Sequence, residues 1–126
     1  MDIRTLLFVA FGGMVGAVSR WGLLEILPDD NSWPWQIFIV NMTGSFILGF
    51  IVSKPFQRLS PRSISALATG LCGSFTTFSM FSLDVTELLR SNQITAAWTY
   101  LGLSVIGGLI LFSLSYSFSN RVGVSK

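Results

Sequence analysis

The 126-residue chain has no histidine, a single cysteine and few charges: eight lysines and arginines and six acids. Charged residues make up 11%, where a soluble domain carries about a quarter. The missing histidines and the lone Cys72 leave too few soft ligands for a zinc or haem site. One cysteine also excludes an intrachain disulfide. The net charge of +2 is too small and too dispersed for a nucleic-acid surface. There is no ATP-site motif, no catalytic constellation and no low-complexity tail, so the chain is not expected to be an enzyme.

What is present is long uncharged sequence, with a mean hydropathy of +0.65. Four stretches stand out: Thr5 to Ser19, Asn31 to Ser53, Ser63 to Leu83 and Ser91 to Asn120. A membrane-spanning helix needs about 20 mostly apolar residues. The last three stretches reach that length unaided; the first does so only if Arg20 is accepted within the helix. We therefore expect one all-α membrane domain of four transmembrane helices, over about residues 3–27, 33–53, 62–89 and 94–118. No clear small-residue cleavage site follows Met1-Asp2-Ile3-Arg4, so the first stretch is read as a retained span rather than a signal peptide. Pro28-Asp29-Asp30 ends helix one, Lys54-Pro55 closes helix two and Pro61 precedes helix three. Trp33 and Trp35 fall where interfacial aromatics belong.

The cations are unevenly spread. Arg4, Lys54, Arg58, Arg62, Arg121 and Lys126 fall on one side of a four-helix arrangement, and Arg90 alone on the other. Both termini are then expected in the cytoplasm, as in a multi-pass protein of the cell membrane. Gly12 and Gly16 form a GxxxG pair, with Ser104 and Gly108 a looser version; such spacing lets helices approach closely. Four short helices bury little surface alone, so self-association is expected.

Several polar residues lie at membrane depth. Asn41, in the middle of helix two, is either an interhelical clamp or an N–H donor to a passing anion. Arg20 either snorkels to the surface or lines a vestibule that concentrates anions. The run Gly70-Leu71-Cys72-Gly73-Ser74-Phe75-Thr76-Thr77-Phe78-Ser79-Met80-Phe81-Ser82 mixes glycine with β-branched residues, a poor helix interior. We read helix three as broken near its middle; the other reading is an unbroken helix that neighbours pack against. A break frees backbone carbonyls, for which a bound cation is one partner. Phe75, Phe78 and Phe81 recur every third residue, as a packing stripe or as ring edges turned to an anion. Thr76, Thr77, Ser79, Tyr100 and Ser104 are hydroxyl donors nearby, whereas Ser113, Ser115 and Ser117 are expected to bond back to their own helix.

Together these residues resemble the Fluc (CrcB) family of fluoride channels, over the whole chain. Gly16-Ala17-Val18-Ser19-Arg20, Asn41-Met42-Thr43-Gly44-Ser45-Phe46 and Gly70 to Phe81 are similar to the motifs of helices one, two and three. The resemblance implies passive, fluoride-selective export through a dual-topology dimer of two antiparallel subunits with two narrow pores. It makes Phe78 and Phe81 the pore phenylalanines, Asn41 a pore donor and Arg20 a vestibule residue. It also assigns a structural sodium ion to the backbone carbonyls of Gly73 and Thr76, two from each subunit. Tyr100 and Ser104 match part of a polar track on helix four. Gly108 falls where another hydroxyl is expected, Met80 replaces a small polar residue, and Asp84 stands where glutamate is frequent. The loop charge bias departs from dual insertion, so a homodimer stands beside a heterodimer with an oppositely oriented paralogue. The rival reading is a small multidrug-type cation/proton exporter. That chemistry needs an embedded carboxylate, and the acids near helices here are Asp2, Glu25, Asp84 and Glu87, all toward the ends.

Overall fold

A computed structural model describes residues 2–28 and 33–124, and every element in it is helical. Helix α1 is Ile3–Ile26 and α2 is Trp35–Ile51. A 3-10 turn, Lys54–Arg58, leads into the third span, Pro61–Arg90. That span is composite: α3 (Pro61–Ser65), a π-helical segment (Ala66–Cys72), α4 (Gly73–Phe75) and α5 (Phe78–Arg90). Helix α6, Ile94–Val124, completes the chain. Three of the four spans are long and apolar enough to cross a bilayer. The fourth, α2, has 17 residues and is about 25 Å long, short of the roughly 30 Å hydrocarbon core.

Local chemistry explains most boundaries. Asp2 caps α1 by accepting from the Thr5 N–H at 3.0 Å, and Arg62 pairs with its other oxygen at 2.8 Å. At the far end, the Gln36 amide donates to the carbonyls of Leu24 and Leu27, which α1 itself leaves unpaired. Helix α2 starts two residues later and ends two earlier than 33–53. Pro34 can only enter at its N-terminus, and Ser53 is already extended ahead of Pro55. Of Pro28-Asp29-Asp30, only Pro28 is among the described residues. Pro61 sits in the first turn of α3, capped by Ser60. The turn between α5 and α6 is closed by Asn92 in the left-handed region, with Gln93 N–H donating to Leu88 O at 2.8 Å.

Helix α6 corrects the expected end at residue 118. Ser119-Asn120-Arg121 reads as an exit from the membrane, but its side chains tie the helix to the chain beyond α2. Ser119 and Ser53 share a buried hydroxyl bond of 2.6 Å, and Asn120 Oδ1 accepts from Lys54 N–H at 2.8 Å. Ser115 is a second correction: its hydroxyl donates to Phe46 O on α2 at 2.6 Å, not to its own helix.

The spans alternate in direction, so α1 runs with the first half of the third span and α2 with α6. Glycine sets the closest approaches. A Cβ on Gly12 or Gly16 would collide with the carbonyls of Ala66 or Leu71, and one on Gly49 with that of Phe112. Only hydrogen fits there. The buried cluster Leu88, Ala97 and Tyr100 lies between α5 and α6, with Trp33, Phe38 and Phe81 against it. Large apolar residues such as Phe11, Val18, Leu109 and Phe118 face outward, as lipid-facing positions do. Arg4, Lys54, Arg58, Arg62 and Arg121 lie at one end of the bundle and Arg90 at the other; Lys126 is outside the described residues.

Candidate functional site

Thr76 and Thr77 are extended (φ −78°, ψ 160° and φ −146°, ψ 115°), which interrupts the third span between α4 and α5. In lipid the groups freed by such a break need partners within the protein. The Thr77 N–H, which in a continuous helix would reach Gly73 O, donates instead to Asn41 Oδ1 at 2.9 Å. Asn41 Nδ2 returns a bond to Thr77 O at 3.2 Å. One side-chain amide thus pairs with both backbone groups of a single residue across two helices. Thr76 O accepts from Arg20 Nη1 at 3.3 Å, so this arginine turns inward to the break rather than out to the surface. Thr76 Oγ1 donates to Cys72 O at 2.9 Å. Thr77 Oγ1 accepts from Met80 N–H at 3.2 Å, capping α5, and lies 3.1 Å from Ser79 Oγ.

The break also corrects the aromatic stripe. Two extended residues between Phe75 and Phe78 put them on different faces: Phe75 is 7% exposed and Phe78 80%. Phe78 and Phe81 stay together at 5.8 Å, and Phe81 lies 5.3 Å from Tyr100, all tilted by about 40°.

Beside the break runs an open groove of about 360 Å³, whose walls include Asn41, Thr76, Thr77, Phe78, Phe81 and Ser104. Ser104 Oγ is buried with no hydrogen-bond partner among the described residues. Tyr100 is fully buried and its hydroxyl donates to Asp84 at 2.9 Å. Its ring therefore supports Phe81 while its O–H is engaged elsewhere. Asp84 sits within α5, nearer its middle than the acids at the span ends.

The two carbonyls expected to hold sodium differ. Gly73 is exposed, and its carbonyl lost its helical donor when Thr77 N–H turned to Asn41. The Thr76 carbonyl carries the Arg20 contact, long for a charged donor. Oxygen ligands of this kind suit a hard monovalent cation at an unwound segment. Among the described residues no group of three or more His, Cys, Asp or Glu side chains offers another metal site.

Of the residues singled out in the sequence, Asn41, Arg20, Phe78 and Phe81 all lie at or beside the break. Sequence reasoning missed the π-helical segment, and it missed Ser45, which lines the same groove one turn beyond Asn41.

The family model for "CrcB-like protein, Camphor Resistance (CrcB)" matches residues 7–116. The chain is 37% identical over 125 residues to a fluoride-specific ion channel FluC of Ignicoccus hospitalis, covering 95% of this chain and 98% of that one. It is 36% identical over 110 residues to a protein of the same name from Methanococcus aeolicus, covering 86% and 89%. The fluoride-specific ion channel FluC 1 of Mycobacterium tuberculosis is 33% identical over 128 residues, covering 99% and 97%. With a matching model over most of its length and relatives spanning nearly all of it, this chain belongs to the CrcB family.

Proposed function

We propose that this multi-pass membrane protein is a fluoride-specific channel and that the groove beside the helix break is one wall of its pathway. The observation that carries the reading is the Asn41–Thr77 pairing. It holds the break open, and so holds Phe78 and Phe81 beside a Ser104 hydroxyl that has no partner among the described residues.

Each group has a physical task. Arg20, inside α1, raises the local concentration of anions. A primary amide carries two N–H groups; Asn41 gives one to Thr77 and offers the other to the anion. Ser104 donates its O–H. The weakly positive edges of Phe78 and Phe81 touch fluoride without trapping it, the balance between entry and release that conduction requires. Hydrogen fluoride that crosses the membrane ionises in a less acidic cytoplasm and is held there as the anion. The membrane potential then drives fluoride out, at about 2.3 kcal/mol per 100 mV.

The pathway is completed in a dimer. The groove is open along one side and Phe78 is 80% exposed, so a second copy packed antiparallel would close it. Two carbonyls from each copy, Gly73 and Thr76, would hold a sodium ion on the two-fold axis and lock the breaks together. Binding there would draw the Thr76 carbonyl from Arg20. The charge bias favours one orientation for a lone chain, so an oppositely oriented paralogue is the second reading of the partner. Co-reconstitution separates the two: flux from the protein alone supports the homodimer.

The test is a fluoride electrode on proteoliposomes. Fluoride efflux with chloride retained is expected, and replacing Phe78 and Phe81 together should abolish it. Equal chloride flux would count against the proposal. Proton-coupled uptake of a cationic dye would instead revive the exporter.

A further inference from the structure

Ser45 lies one helical turn beyond Asn41 on α2, so the two share a face and stand about 6 Å apart along the axis. Both line the groove. On α6, which runs in the same direction, the residue one turn beyond Ser104 is Gly108. Gly108 has no side chain to contribute, but the space is not empty. A Cβ built there would meet Ser45 Oγ at 3.3 Å and the terminal methyl of Met42 at 3.6 Å. The Ser45 hydroxyl therefore lies within contact distance of where a side chain at position 108 would begin.

We propose that Ser45 is an anion-coordinating residue of the pathway, its hydroxyl taking over from Ser104 at the level where α6 presents only glycine. Two observations meet here. Ser104 Oγ is buried and without a partner among the described residues, which is costly in a membrane unless a ligand visits it. The next hydroxyl along the same groove comes from the opposite wall. A small dehydrated anion needs successive donors at closely spaced levels, each weak enough to release it. Asn41 and Ser104 form one level; Ser45 opposite Gly108 forms the next. The competing explanation is that Ser45 only fills the gap at Gly108.

This inference rests on the fluoride-channel reading, and rescue across the groove tests it. Ser45→Ala should slow fluoride efflux from proteoliposomes about tenfold, the effect of removing one hydrogen bond to a charged group. Adding Gly108→Ser places a hydroxyl from α6 in the vacated space and should restore most of the rate. Adding Gly108→Ala fills the space without a donor and should not. Wild-type flux in Ser45→Ala overturns the proposal. So does rescue by alanine as complete as by serine, and so does no rescue by serine. If Ser45→Ala fails to fold, Ser45→Thr and Ser45→Val pose the same question at equal shape: threonine retains flux and valine loses it, and equal flux overturns the inference. Wild-type protein without fluoride flux would instead sink the channel reading itself.

Discussion

Replacing Asn41 by leucine nearly keeps its volume and removes both halves of its pairing with Thr77. Thr77 is 7% exposed, so water does not reach the backbone groups left behind. Interhelical hydrogen bonds in membranes average about 0.6 kcal/mol and reach about 1.7. Losing two of them, at 2.9 and 3.2 Å, should cost about 1–3 kcal/mol. The Thr77 N–H has one alternative, the Gly73 carbonyl it would meet if the helix closed. Closure recovers part of the loss but turns Phe78 and Phe81 away from the groove. Asn41→Leu should therefore show a modest loss of stability in reversible detergent unfolding together with a near-complete loss of fluoride flux. Hydrogen exchange at the Thr77 amide reports the clamp directly and should change in the variant. Unaltered stability, exchange and flux would mean that the amide does not hold the break.

Gly16→Ala drives a Cβ into the Leu71 carbonyl, which is backbone and cannot swing aside, so α1 must lift off the third span at about 1–3 kcal/mol, read in the same unfolding assay. Ser119→Ala should cost only about 0.5–1.5 kcal/mol, because Ser53 Oγ keeps its bond to Phe50 O at 2.6 Å; a double-mutant cycle with Ser53→Ala isolates the shared bond. The Asp2 carboxyl is held down to about 2, chiefly by the Thr5 hydroxyl, then by the Thr5 N–H and Arg62. Its folded value is depressed, so its contribution is complete above the ordinary value of 3.8 and fades as pH falls through about 2. Asp2→Asn should flatten that part of the thermal-stability profile, with its deficit against the wild type present at neutral pH and vanishing as pH falls through about 2. Phe78→Ala should remove flux and leave stability nearly intact, since the ring is 80% exposed in the single chain.

Four spans and the polar positions at membrane depth were legible in the chain because lipid penalises polar groups, whereas fluoride was legible only through the resemblance of the three motifs to a known family. Asn41, Arg20 and a glycine–hydroxyl run at membrane depth demand partners, and a reader can ask what those partners are. The partners themselves were not legible. The Tyr100 hydroxyl is a donor by composition, yet Asp84, sixteen residues away, claims it. The Ser119-Asn120 pair reads as a helix end until the turn after α2 supplies its bonds.

Sequence alone thus determined that this chain is an all-helical membrane protein whose third span is badly suited to a continuous helix. Hydropathy and backbone propensity act over a few residues and need no fold. Which face each phenylalanine takes, which carbonyl is freed, and which serine stands opposite Gly108 were decided by tertiary structure. Those outcomes depend on how two helices meet, and the register of one helix against another is not a property of either stretch of sequence.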